Sequence, residues 1–189
     1  MHDKVYSNAA WYPIEIAGLK RELHHSKLSD EVSIAGFAIF GHVEMTVRCA
    51  AALLKSPPEH DILVTTTPPG PPLLHALARP AGAQTYVVAR KGPKLYMKDP
   101  FFVEGQSNST AKAQKLYLDE TEAAKLKGRR VLMVDDVIST GESLHALERL
   151  TEKAGGEIVG KAAVLAEGDA AKRTDIIFLA TLPLLKTEE

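Results

Sequence analysis

The segment VLMVDDVISTGES, residues 131–143, limits what this chain can fold into more than any other. Its four leading apolar residues, Val131 to Val134, read as a buried strand. Two carboxylates follow at once, Asp135 and Asp136. Next comes a small, hydroxyl-bearing turn, Ser139-Thr140-Gly141-Glu142-Ser143, that opens a helix. A strand that ends in acids and passes into such a helix start suits a phosphorylated sugar. The first N–H groups of a helix lack intrahelical partners and carry partial positive charge, so they receive a phosphate. Ser139, Thr140 and Ser143 add hydroxyl donors, and the two acids accept hydrogen bonds from sugar hydroxyls. The blander reading is a buried strand ending in a solvated acid turn that caps the next helix. Capping needs one acid, however, and not the whole set.

The rest of the chain places this segment in an α/β layer. Strands are expected at residues 32–40 (VSIAGFAIF), 61–66 (DILVTT), 85–89 (TYVVA), 114–118, 130–134, 158–166 and 175–180. Helices are expected at residues 43–55, 72–79, 121–127 and 142–154. In the first of these, Val43, Val47, Ala50, Ala51 and Leu54 form one apolar face. Residues 1–29 read as an irregular or short-strand extension before the core. Alternating strands and helices imply βαβ units and a mostly parallel sheet, with ligands at the carboxyl ends of the strands. The polar features cluster at such ends: residues 65–70, Arg90-Lys91, Asp135-Asp136 and residues 167–169.

Composition removes several function classes. A formal net charge of -1 exerts no bulk pull toward nucleic acid or an anionic membrane. No apolar run reaches about 18 residues, and no basic-then-apolar leader is evident, so a cytoplasmic protein is expected. The one cysteine, Cys49, excludes an intramolecular disulfide and sits in an apolar run, as a buried inert thiol would. The histidines are scattered without metal-ligand spacing.

The acid-pair segment resembles the phosphoribosyl-pyrophosphate (PRPP) motif of the type I phosphoribosyltransferases: a hydrophobic strand, two acids, a few variable residues, then Thr-Gly and a small hydroxyl residue. ARKGPKLYM is similar to the stretch where an Arg-Lys pair begins the flexible catalytic loop of adenine phosphoribosyltransferases. QKLYLD, KGRRVLMVDDVISTGESL and KAAVLAEGDAAKR extend the likeness to a bacterial adenine-type branch. The resemblance implies one domain over residues 1–189, a mostly parallel sheet flanked by helices, with a small hood. Residues 1–30 would contribute to the hood and 31–189 would form the core. It implies transfer of the phosphoribosyl group of PRPP to a purine base, adenine foremost, with Mg2+, in a homodimer.

On that resemblance Asp135 and Asp136 hold the ribose hydroxyls and act in catalysis together with Arg90. Ser139, Thr140, Gly141, Glu142 and Ser143 take the 5′-phosphate. Arg90, Lys91, Lys94 and Gly70 meet the pyrophosphate, and Phe37 and Glu167 face the base. No protein group ligates the metal directly; it enters through PRPP near the two acids. The chain departs from the pattern after its second strand, at residues 67–72 (TPPGPP). There a basic residue gives way to Pro69, and four prolines remove four backbone donors. Glu142 stands where relatives carry glycine. A carboxylate about 4 Å from phosphate would repel it by roughly 4 kcal/mol per unit charge, so its side chain is expected to point outward. Two alternatives stay open: a PRPP- or nucleotide-binding regulatory protein with impaired catalysis, and the same chemistry on xanthine, hypoxanthine or orotate.

Overall fold

The structure, a computed structural model, describes residues 5–6, 11–27, 29, 32–67, 70–105 and 115–186. It opens with β1 (Val5–Tyr6), β2 (Trp11–Ile16), β3 (Leu19–Lys27) and β4 (Val32–Ala35). The core follows as α1 (Val43–Leu53), β5 (Ile62–Thr66), α2 (Pro71–Ala78), β6 (Val87–Ala89), β7 (Phe101–Glu104), β8 (Lys115–Leu118) and α3 (Glu120–Leu126). It ends with β9 (Arg130–Ile138), α4 (Glu142–Lys153), β10 (Glu157–Glu167), a 3-10 turn at Gly168–Lys172, β11 (Ile177–Leu182) and β12 (Leu184–Lys186).

Five of these strands form a parallel sheet in the order β11-β10-β9-β5-β6, with β9 at its centre. The central position explains the composition of β9. Val131, Leu132, Met133 and Val134 are each no more than 4% exposed, because helices cover both faces. Burying each of these side chains contributes about 1.5–3 kcal/mol over leaving it in water. Alternation sorts them: Leu132 and Val134 pack with α1 and α2, Val131 and Met133 with α3 and α4. The sheet and its flanking helices are those expected.

The hood is a second, antiparallel sheet in the order β1-β12-β4-β3-β2, in which only β1 and β12 run parallel. The described part of this N-terminal stretch is therefore more regular than expected: β2 and β3 form a hairpin. Its two-residue turn, Ala17-Gly18, has φ of 50° and 79°, the backbone that matches strand twist. The expected strand 32–40 shortens to Val32–Ala35 and belongs to this sheet, as does β12.

Helix α1 turns a different face inward from the one its valines suggested. Met45, Thr46, Cys49, Ala50 and Leu53 are buried, while Val43 is 76% and Val47 57% exposed. Thr46 is accommodated because its hydroxyl donates to the His42 carbonyl at 2.9 Å. Cys49 is buried, and burial pushes its thiol up to about 11. The polar segment after Arg90 also holds unforeseen order, since β7 pairs with β8 as an antiparallel ribbon. Arg149 and Lys153 of α4 donate to the carbonyls of Glu104 and Phe102 at 2.9 and 3.2 Å, fastening that ribbon to the helix. Among the described residues no helix is long and apolar enough to cross a membrane.

Candidate active site

The apolar run of β9 ends at Val134, but the strand does not. Asp135 lies opposite Ala163 of β10, and pairing continues to Ile138 opposite Ala166. The ladder carries both acids inside the strand, four residues beyond the expected end at 134. The chain then turns, and Gly141 adopts the left-handed conformation (φ 82°, ψ 3°) before α4 begins. A residue without Cβ takes that backbone at no steric cost. The N-cap residue Gly141 has no side chain to cap α4, and the nearest acceptor is the Thr140 hydroxyl, which takes the Glu142 N–H at a long 3.4 Å. At α3, by contrast, the Asp119 carboxylate accepts the Glu122 N–H at 2.8 Å. A helix start with no N-cap side chain and only that long contact suits an anion.

The acids and this helix start share one cavity of about 180 Å³. Asp135, Asp136, Ser139, Thr140, Gly141, Glu142 and Ser143 line it, with Lys91 and Thr66 on its other side. Each acid is turned back on its own backbone. The Asp136 N–H donates to Asp135 Oδ1 at 2.9 Å and the Val137 N–H to Asp136 Oδ1 at 2.8 Å. Asp136 is 6% exposed. Burial, and then the adjacent Asp136 charge, push the Asp135 carboxyl up to about 7, against the opposing pull of Lys91. Burial also raises Asp136. Two neighbouring acids in such a place resist ionising together, so they titrate as a pair.

Lys91 reaches the cavity and Arg90 does not line it. Arg90 instead bridges to β8 through its backbone: its N–H donates to the Tyr117 carbonyl at 2.9 Å and its carbonyl accepts the Tyr117 N–H at 2.7 Å. Neighbouring side chains of an extended segment point to opposite sides, so one of the pair faces the acids. Lys94 is exposed outside the cavity, its N–H donating to Met97 Sδ at 3.3 Å. Glu142 is exposed. Gly70 is buried away from the cavity as the N-cap of α2, where an added Cβ would collide with the Thr65 side chain. Pro68, Pro69, the hydroxyl cluster Ser107 to Thr110 and Lys112 lie outside the described residues.

Phe37 lines a different cavity of about 230 Å³, together with Arg21, Glu22, His24, His42 and Met45. Glu167, at the end of β10, lines neither cavity, and burial raises its carboxyl above the usual range. Thr66 falls within the polar stretch 65–70 expected at a strand end, where the sequence assigns it no role of its own. The signal was present as a hydroxyl at the end of a wholly buried strand, a place where a polar group needs a partner.

Could a magnesium ion fit here? The cavity offers two carboxylates and hydroxyls, and no imidazole or thiolate. Oxygen donors of this kind suit a hard cation that keeps water and phosphate as its main ligands. No group of three or more His, Cys, Asp or Glu poised to hold a metal occurs among the described residues. The arrangement fits an ion carried in by a phosphorylated ligand, with the acids beside it.

Residues 61–183 match the family model described as Phosphoribosyl transferase domain. Over 113 residues the chain is 33% identical to a hypoxanthine/guanine phosphoribosyltransferase of Methanosarcina mazei, covering 58% of this chain and 53% of the relative. Over 117 residues it is 33% identical to an adenine phosphoribosyltransferase of Rhodococcus jostii, covering 60% and 62%. The chain thus spans little more than half the length of these curated relatives. Its fold is similar to that of the adenine phosphoribosyltransferase of Thermoanaerobacter pseudethanolicus, with a TM-score of 0.61, 23% identity and coverage of 74% and 80%. The enzyme of the same name from Rhodothermus marinus gives 0.60 and 22%, covering 92% and 94%. At these identities the structural likeness speaks to the fold alone. The matched stretch holds every strand of the parallel sheet and the whole acid-pair cavity, and by it the chain belongs to the phosphoribosyl transferase domain family.

Proposed function

We propose that the chain is a purine phosphoribosyltransferase that joins adenine to the ribose of PRPP, giving a nucleoside monophosphate and pyrophosphate. The observation that carries this reading is an acid pair, Asp136 buried and Asp135 half-buried, opening together with a helix start whose N-cap is glycine into one cavity. In the reaction the bond from ribose C1 to the pyrophosphate oxygen breaks, and pyrophosphate leaves with the electron pair. A bond from a base ring nitrogen to C1 forms, and that nitrogen loses its proton. Positive charge develops on the ribose ring on the way, as in glycoside cleavage.

Asp135 and Asp136 hold the ribose 2′ and 3′ hydroxyls and stabilise that charge. The turn from Ser139 to Ser143 receives the 5′-phosphate on its N–H and hydroxyl groups, with the Glu142 side chain directed to solvent. Lys91, with Arg90 and Lys94 on the same basic segment, balances the leaving pyrophosphate; Gly70, buried at the start of α2, would act only by shaping the backbone there. Bound magnesium would add neutralisation of the diphosphate. Phe37 offers an aromatic face to the base, and Glu167 a carboxyl. A second copy of the chain would cover the exposed apolar row Phe40, Val43 and Val47, making a homodimer. The protein would work in the cytoplasm.

A second reading keeps the chemistry and changes the base. The relative from Methanosarcina mazei is named for hypoxanthine and guanine, which favours a 6-oxopurine. A third keeps the binding and loses the turnover, as the prolines at residues 68–72 suggest. One assay separates them. PRPP and magnesium are supplied with adenine, hypoxanthine, guanine, xanthine or orotate in turn, and nucleotide is quantified. AMP as the dominant product is expected. Product with another base moves the assignment to that base. Measurable PRPP binding with no product from any base would overturn the enzyme reading in favour of a sensor.

A further inference from the structure

We propose that Arg173 is a positioning residue for the 5′-phosphate turn. Its guanidinium backs Gly141 and supplies the positive charge that the turn lacks. The inference rests on the assignment of that turn to phosphate. Residues 139–143 hold three hydroxyls and one carboxylate, but no lysine or arginine. A dianion docking there meets no cation of the turn's own.

Arg173 arrives from elsewhere in the chain, just past the 3-10 turn that follows β10, and its N–H donates to the Ala170 carbonyl at 3.1 Å. Two of its three guanidinium nitrogens are committed. Nε donates to Asp175 Oδ1 at 2.9 Å and Nη2 to Asp175 Oδ2 at 2.6 Å. A fork held by both carboxylate oxygens is fixed in its plane. The third nitrogen, Nη1, faces the turn: a Cβ placed on Gly141 would lie 3.0 Å from it.

The anchor is itself anchored. Asp175 Oδ2 also accepts Lys161 Nζ at 2.9 Å, and Lys161, on β10, pairs with Glu148 of α4. The guanidinium is thus tied to the sheet and to the very helix whose start it backs. Gly141 is constrained twice over, by its left-handed backbone and by the cation behind it. A surface arginine left to wander in solvent would have neither the fork nor the facing glycine.

The test measures affinity for each end of PRPP separately, by calorimetry on the full chain with ribose 5-phosphate and with pyrophosphate, and adds steady-state kinetics. Arg173→Ala is expected to weaken ribose 5-phosphate about tenfold, the scale of one charge-assisted contact. Pyrophosphate affinity should stay within about twofold, and the KM for PRPP should rise more than kcat falls. Arg173→Lys, which keeps charge without the fork, should recover part of the loss. Unchanged ribose 5-phosphate binding in Arg173→Ala, or equal loss of both ligands, overturns the proposal. Should Arg173→Ala fail to fold, Asp175→Asn frees the guanidinium while keeping its charge and is read by the same two ligands. A wild-type chain that binds no ribose 5-phosphate is a distinct result and removes the phosphate assignment itself.

Discussion

Helices α2 and α4 both start just past the carboxyl ends of adjacent parallel strands, β5 and β9, yet one start is sealed and the other open. At α2, Gly70 is right-handed (φ −55°, ψ −36°) and packed on Thr65, and Pro71 and Pro72 fill the first two helical positions. At α4, Gly141 is left-handed, hydroxyls surround the turn, and a cavity lies in front of it. The fold offers both sites an equal helix dipole in principle. Neither N-cap glycine has a side chain to cap its helix, so what differs is the first turn: two prolines delete backbone donors at α2, and no proline does so at α4. The capacity to hold an anion is thus set residue by residue on a common frame.

The largest effect should come from the acids beside the open start. Asp135→Asn combined with Asp136→Asn is expected to lower turnover about a thousandfold or more, since the developing ribose charge loses its partners. Near wild-type turnover in a folded double variant would break the contrast altogether. Next in size is pH. With Asp135 pushed up to about 7, kcat/KM for PRPP should fall about tenfold per pH unit below that value. Stability should run the other way. From the usual carboxylate range up to about 7, the folded chain holds a proton that the unfolded chain has lost, so stability falls as pH rises through that window. Urea titrations at several pH values should show this slope, and Asp135→Asn should flatten it.

Glycine-to-alanine changes at the two starts sharpen the comparison. Gly70→Ala drives a methyl into Thr65 and should cost about 1–3 kcal/mol of stability by denaturant titration. Thr65→Ala in the same chain should return part of it. Gly141→Ala meets left-handed strain of about 1–3 kcal/mol and displaces Arg173, so its loss should also appear as weaker PRPP binding. If both changes alter only stability, the open start is no binding site. The smallest effect is expected from Pro71→Ala with Pro72→Ala, which restores two N–H groups at α2. Pyrophosphate KM in the reverse reaction should drop about twofold to threefold. An unchanged KM would place α2 outside the pyrophosphate's reach.

How much of this was legible in the residues follows from how local each feature is. Strand β9 and its acids could be read because burial on both faces makes a continuous apolar run, and the turn chemistry follows directly. The hood hairpin was obscured because β2 and β3 are mostly exposed or half-buried, which leaves little periodicity. Strand β7 was hidden by its shortness within a polar segment. Helix α1 carries apolar residues around much of its circumference, so the pattern could not say which row the sheet would take. From sequence Arg90 takes a catalytic part and Lys91 only the pyrophosphate, whereas in the fold Lys91 lines the cavity and Arg90 is bridged to Tyr117, a pairing no local pattern reveals. Arg173 had no local signal, since its position opposite Gly141 exists only once β10 lies beside β9.

The raised carboxyl of Asp135 has a calorimetric corollary. Near neutrality an appreciable share of the Asp135 carboxyl still carries its proton. Sugar hydroxyls or a magnesium–diphosphate complex favour the ionised form, so capture of PRPP would expel hydrogen ions into solution. The heat of titration should then track the ionisation enthalpy of the buffer, strongly in one such as Tris and weakly in phosphate.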